Sequence, residues 1–380
     1  MKVKAVVLDL TGTAMNWLDI HGNEEHLELC EILTLDNRSP IPLQDLNNYD
    51  NWDILLVFEQ GVRDKVRQLL WHIGVPDNRV LYPLDEVEGS LYDNRSLSTY
   101  IFDESIGNLL AYISKRKSDE KYAMVSSDDL TYINVSTDNV ILPEMLISGR
   151  NWAYEDMVLF YKLSNKYFQF ENDQIFFCDI GANIGTTSIY FKKKIDRDIS
   201  IMAFEPSSEN YKLLRINALI NDIDISKHMF INEGLSDRRE NIIISYNSSN
   251  PGGSSVIKNI YDIKEEAHLV SFDEYLRENS IDPKSLKYLW IDVEGYEARF
   301  LAGARDTLER INIPVFMEFI PRFYMERQDE FDMLMNEMER HFQYFICKEE
   351  LDNGKQPIGR LRQEQYNKTL SWDLFLLKEG

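Results

Sequence analysis

The segment Ile175-Phe176-Phe177-Cys178-Asp179-Ile180-Gly181-Ala182-Asn183-Ile184-Gly185-Thr186-Thr187 reads as a buried strand, an acid at its carboxyl end and a glycine-punctuated turn into a helix. An apolar run this dense belongs to a strand covered on both faces, and so to a parallel sheet flanked by helices. Glycines in the turn let a ligand approach the backbone, and the first turn of the helix offers N–H groups without intrahelical partners. Glu205 stands 20 positions after Gly185, at the end of the next strand in Met202-Ala203-Phe204-Glu205-Pro206. In nucleotide-binding α/β sheets an acid at that place grips the two hydroxyls of a ribose.

The alternation around this corner predicts a central parallel sheet with a terminal hairpin. Strands are expected at 175–180, 200–204, 229–232, 288–292 and 315–319, with closing strands at 344–347 and 372–377. Helices are expected from 186, over 209–221, 298–310 and 328–342. Asn250-Pro251-Gly252-Gly253 reads as a turn between short strands at 242–246 and 255–257. Ahead of this domain, apolar runs at 4–10, 52–58 and 79–82, with an amphipathic helix at 62–73 stopped by Gly74, predict a small α/β Rossmann-like accessory domain. The boundary is placed near residue 115, giving domains 1–115 and 116–380. Polar and β-branched residues over 131–150 predict short antiparallel strands.

Spacing separates two cofactor classes. A dinucleotide fingerprint would need Gly at 183 and 186, where this chain has Asn183 and Thr186. Asp179, two residues before the first glycine, would repel a pyrophosphate but would receive a cationic amino group, such as that of S-adenosylmethionine. A second group of acids, Asp292, Glu294 and Glu297, lies in Leu289-Trp290-Ile291-Asp292-Val293-Glu294-Gly295-Tyr296-Glu297. Three acids so crowded at a strand end are costly unless exposed, paired or functional. Strands one and four of such a sheet flank the switch point where ligands bind, so Asp292 and Glu294 are expected to face the reacting centre. Hard cations favour oxygen ligands, but nothing in the spacing demands a metal and none is assigned.

These residues resemble a known family. Asp-Ile-Gly-Ala-Asn-Ile-Gly at 179–185, Phe-Glu-Pro at 204–206, Asn217 and Asn221, Gly-Leu-Ser-Asp at 234–237, Ile-Asp-Val-Glu-Gly-Tyr-Glu at 291–297 and Phe316-Met317-Glu318 look like the FkbM-type methyltransferases, over about residues 150 to 350. The resemblance implies a class I methyltransferase doubly wound sheet of order 3-2-1-4-5-7-6, with S-adenosylmethionine as cofactor. It implies methyl transfer to a hydroxyl oxygen, often on a sugar or secondary metabolite. Carried over by position, Asp179, Gly181, Asn183 and Gly185 would line the methionine and ribose portion. Glu205 would bind the ribose hydroxyls, Ser236 and Asp237 would lie near adenine, and Asp292, Glu294 and Glu318 would face the acceptor. Asp292 is the first candidate base, Glu294 the second and His268 a weaker third. Residues 1–115 resemble small α/β domains that precede carbohydrate-modifying methyltransferases, where acceptor docking or homodimerisation is the expected task.

Composition removes other classes. The 41 basic and 64 acidic residues leave a net charge of −23, spread along the chain. Such a field repels nucleic-acid backbones and anionic lipids, and no basic stripe offsets it. No window approaches the roughly 20 apolar residues of a membrane span, and Met1–Asp9 is too short for a signal peptide, so a cytoplasmic location is expected. Cys30, Cys178 and Cys347 are expected to be buried hydrophobes. Val6-Val7-Leu8-Asp9-Leu10-Thr11-Gly12-Thr13 looks superficially like the haloacid-dehalogenase signature, but Thr11 replaces its second acid. A nicotinamide-dependent oxidoreductase and a catalytically silent scaffold share the sheet and stand as alternatives.

Overall fold

A computed structural model describes residues 3–9, 27–34, 54–58, 80–81, 121–135, 138, 140–247, 250–255, 263–367 and 370–378. The chain divides into two compact units, one of 1–128 with 135–150 and one of 129–134 with 151–380. The helix expected at 62–73, the Asp-Leu-Thr-Gly motif beyond Asp9 and the boundary expected near 115 lie outside the described residues.

In the first unit β1 (Val3–Asp9), β2 (Leu27–Thr34), β3 (Ile54–Phe58) and β4 (Val80–Leu81) form a sheet of order β2-β1-β3-β4, all parallel. Parallel neighbours require crossover connections, so this is an α/β arrangement. Strand β2 escaped the sequence analysis because Glu28 and Glu31 interrupt its apolar run. Farther along the chain come β5 (Tyr122–Ser127), β6 (Leu130–Val135) and the helix α1 (Ile141–Ser148). Residues 141–148 are helical, not the expected strand. The buried Asp138 explains the difference: its carboxylate accepts the N–H groups of Val140, Ile141 and Leu142, at 3.1, 3.3 and 2.7 Å. Pro143 falls in the first turn, where a missing N–H costs nothing.

The second unit holds, in chain order, α2 (Tyr154–Tyr167), β7 (Phe176–Ile180), α3 (Thr186–Tyr190), β8 (Ser200–Phe204), α4 (Ser208–Ile220) and β9 (Met229–Ile231). A side sheet follows, of β10 (Gly234–Ser236), β11 (Glu240–Asn247), β12 (Asn250–Ser255) and β13 (Ile263–Ser271). Then come α5 (Phe272–Glu278), β14 (Leu286–Ile291), α6 (Glu297–Gly303), α7 (Arg305–Arg310), β15 (Val315–Phe319), α8 (Gln328–His341), β16 (Tyr344–Cys347), β17 (Gln356–Pro357) and β18 (Trp372–Leu377). The main sheet runs β9-β8-β7-β14-β15-β18-β16-β17. It is parallel from β9 to β15, and β18 is antiparallel to both neighbours. Among the described residues no helix is long and apolar enough to cross a membrane.

Helices cover both faces. On one, Phe160 of α2 meets Tyr288, Trp290, Phe316 and Phe375 edge-on, and Trp290 stacks on Phe316 at 3.6 Å between centroids. On the other, Cys178, Ile180, Met202, Leu289, Ile291 and Met317 pack with Phe300, Leu334 and Met338. Each such buried side chain contributes about 1.5–3 kcal/mol relative to exposure. Cys178 and Cys347 are buried free thiols, as expected.

Two local readings change. Asn250–Gly253, expected as a turn, lies inside β12. The helix expected over 298–310 breaks at Ala304 into α6 and α7, and Gly303 there lies against the Ser236 carbonyl. A Cβ on Gly303 would sit 1.9 Å from that oxygen. Gly303→Ala is therefore expected to lower stability by about 2–3 kcal/mol, the cost of overpacking against a fixed neighbour. Equilibrium urea denaturation measures it, and an unchanged midpoint would refute the contact.

Candidate active site

The carboxyl ends of β7, β8 and β14 meet at one crevice of about 630 Å³, counting space open to solvent. Its polar wall is Gly181, Asn183, Glu205, Asn210, Asp292, Glu294 and Tyr296, and its apolar wall includes Pro206, Leu235, Ile242, Ile244, Leu269 and Val293. Among these described residues there is no Lys, Arg or His.

The glycine corner is built by close approach. Gly181 has φ +87°, and a Cβ there would lie 1.9 Å from the Asp292 carbonyl oxygen, so only glycine lets the β7 turn close on the end of β14. Gly185 at φ +89° is packed beneath Leu214 of α4. Asn183 between them is also left-handed, at φ +50°, and its N–H donates to Glu205 Oε2 at 2.8 Å. The other Glu205 oxygen accepts the Ser207 N–H at 2.9 Å. The two glutamate oxygens thus clamp the corner to β8 while each keeps a lone pair for a ligand. Asn183 Oδ1 is buried without a hydrogen-bond partner, an acceptor awaiting a donor.

The acids are desolvated. Burial lifts the Glu205 carboxyl to about 7, against the pull of the two N–H groups. Asp179, 1% exposed, lies beneath the corner and takes the Ser188 hydroxyl proton in a hydrogen bond; burial first, and Asp292 after it, raise it to about 7. Burial and the Glu297 charge raise Asp292 to about 6. Glu318 is driven well above the carboxylate range by burial and by Asp292, Glu294, Asp373 and Glu297. Asp292, Glu294 and Glu318 each bring an oxygen within 4.8 Å of the others. Glu294 holds its place in a left-handed backbone, φ +50°, next to Gly295 at +93°. Glu297 is buried behind them, where it accepts the Gly295 N–H at 3.0 Å and the Tyr324 hydroxyl.

Of the residues singled out from the sequence, Gly181, Asn183, Glu205, Asp292 and Glu294 line the crevice, and Asp179, Gly185 and Glu318 are not among its lining residues. Ser236 and Asp237 are elsewhere. The Ser236 hydroxyl is shared between Asp237 and Glu240, and Asp237 pairs with Arg299 at 3.3 Å, anchoring α6 to the side sheet. His268 pairs with Asn241 at 2.9 Å on an exposed edge and does not line the crevice. The apolar wall from β11 and β13 went unread. Its signal was the run Ile242-Ile243-Ile244, in which alternate residues turn inward and Ile243 is 54% exposed.

Fold and site define a crevice at the carboxyl ends of a parallel α/β sheet, walled in part by carboxyl groups. Residues 179–346 match the family model of the Methyltransferase FkbM domain. The chain is similar to methyltransferase sdnD of Sordaria araneosa, 30% identical over 156 residues, covering 34% of this chain and 60% of that one. It thus spans 60% of that curated relative's length. It also overlaps the crystal structure of an FkbM methyltransferase from Methylobacillus flagellatus at 12% identity, over 98% of this chain and 90% of that one, TM-score 0.39. A SAM-dependent O-methyltransferase from Thermotoga maritima overlaps at 8% identity, over 70% and 82%, TM-score 0.33.

The raised carboxyls set a pH dependence. Between their unfolded values near 4 and the folded values of about 6 to 7, Asp179, Glu205 and Asp292 bind more protons folded than unfolded. Stability therefore falls as pH rises through that window. The thermal midpoint of the ligand-free protein is expected to drop from pH 5 to pH 8, less steeply in Asp292→Asn. A midpoint that climbs over this range would contradict the assignment.

Proposed function

We propose that this protein is an S-adenosylmethionine-dependent O-methyltransferase that acts in the cytoplasm on a hydroxyl of a sugar, glycan or secondary metabolite. The observation that carries the reading is the crevice itself: the buried carboxyl of Glu205 and the half-buried ones of Asp292 and Glu294, an unpartnered Asn183 Oδ1 and no cation among the described lining residues. Such a wall attracts a positively charged nucleoside and repels a pyrophosphate. The donor, when bound, supplies a methyl group already activated on a sulfonium.

Glu205 is suited to hold two ribose hydroxyls with its remaining lone pairs, while Pro206, Leu235 and Ile244 form an apolar slot suited to a base.

 Leu269, on β13, closes the far side of that slot. The acceptor oxygen must then be held in line with the methyl carbon, and positioning of this kind supplies most of the rate. Asp292 is the base. Its carboxyl, at about 6, is a stronger proton acceptor than an ordinary aspartate and still mostly ionised above neutrality. Glu294 shares that wall, and Glu318 lies within reach of both. The unit at the N-terminus we assign to acceptor docking or homodimerisation.

Calorimetry with S-adenosylhomocysteine and with NAD, side by side, tests the reading. Heat from the first alone is expected; heat from NAD alone would support an oxidoreductase, and none from either a silent scaffold. Asp292→Asn should keep that binding and lose about 10²- to 10⁴-fold in turnover, measured as labelled methyl passed to fractionated extract. Full turnover in the variant would remove Asp292 as base.

A further inference from the structure

Strand β6 is held by a helix in place of a strand on one edge. Asn221 of α4 accepts the Thr131 N–H at 2.9 Å and donates to the Thr131 carbonyl at 2.7 Å. One turn earlier, Asn217 does the same for Ile133, at 2.7 and 3.0 Å. The match is geometric: four helical residues advance about 6 Å, close to the 6.6 Å or so covered by two residues of a strand. Each amide presents the donor and acceptor pair that a neighbouring strand would otherwise provide.

Asn217 makes one bond that Asn221 does not. Its Nδ2 also donates to the Ile184 carbonyl at 2.9 Å, inside the glycine corner. Two further side chains reach the same stretch from behind: the Tyr132 hydroxyl and Asn151 Nδ2 both point at the Thr186 carbonyl, at 3.4 and 3.2 Å. Asn217 is fully buried, so no water substitutes for its amide. The front of the corner, Gly181 and Asn183, faces the crevice. Its back is therefore fixed by Asn217 and by the strand that Asn217 grips.

We propose that Asn217 is a positioning residue for donor binding, acting through the Asn183–Gly185 corner to hold the Asn183 backbone and amide against the ligand. This rests on reading the crevice as the donor site. The neighbouring Asn221 provides an internal control, since its clamp on Thr131 does not touch the corner. Loss of Asn221 removes comparable hydrogen bonding from the same strand and leaves the corner bonded.

The test is calorimetric affinity for S-adenosylhomocysteine in the full chain, with thermal midpoints recorded alongside. Asn217→Ala is expected to weaken binding by about tenfold or more, as small displacements of a binding group do. Asn221→Ala is expected to lower the midpoint and to leave affinity within about twofold. With donor saturating, turnover of Asn217→Ala should approach that of the parent, so that the change falls in KM. Should the alanine variant not fold, Asn217→Asp keeps the Ile133 N–H bond and removes the donor to Ile184, with the same weakening expected. Parent-like affinity in either Asn217 variant, or equal weakening in Asn221→Ala, would overturn the proposal. A parent chain that gives no heat would overturn the donor reading, and this inference with it.

Discussion

Carboxyl groups, buried or half-buried around a crevice whose described lining residues include no cation, are the constraint on which the rest of this site depends. Asp179, Glu205, Asp292 and Glu318 are all raised first by desolvation; Asp292 adds to the rise at Asp179, Asp179 to that at Glu205 and Glu297 to that at Asp292, while a hydrogen bond from Glu318 pulls Asp292 the other way. Such a cluster opposes its own ionisation. A cation entering the crevice would relieve that opposition, and the discrimination against anionic ligands follows from the same charge. On the proposed reading, binding and chemistry share one electrostatic source: the burial that makes the wall receptive to a positive nucleoside also makes Asp292 a better base.

The fold is arranged to keep these groups in place without neutralising them. Parallel strands deliver their carboxyl ends to one edge of the sheet, and Gly181 allows two of those ends to touch. Backbone N–H groups, not side-chain cations, hold Glu205. Serine and tyrosine hydroxyls hold Asp179 and Glu297. Arginines lie farther out, where Arg299 joins Asp237 to Glu330 and Arg305 pairs with the buried Glu337. Those pairs fasten helices to one another and leave the crevice acidic.

Much of the frame was legible because its strands are short, apolar and punctuated. Val315–Phe319, Tyr344–Cys347 and Trp372–Leu377 have the bounds that the apolar runs predict. The errors share a cause in tertiary contact. The 141–148 helix depends on a carboxylate reaching forward from Asp138, and the break between α6 and α7 on packing of Gly303 against a distant carbonyl. At the site, residues of the corner and of the β14 end could be named because local motifs carry them. Ser236 and Asp237 stand in an equally conspicuous motif, yet Ser236 bonds Asp237 and Glu240 while Asp237 pairs with Arg299, and only the sheet's geometry tells the two cases apart. The side-sheet wall was hidden because an unbroken Ile242–Ile244 run does not say which face turns inward.

The central claim is that the raised carboxyls at the crevice give up part of their bound protons when a cation binds among them. Calorimetric titration with S-adenosylmethionine near pH 6.5, repeated in buffers of different ionisation enthalpy, counts the protons exchanged on binding. Net proton release is predicted, and larger than with S-adenosylhomocysteine, which lacks the sulfonium. Net uptake, or no exchange with either ligand, would contradict it.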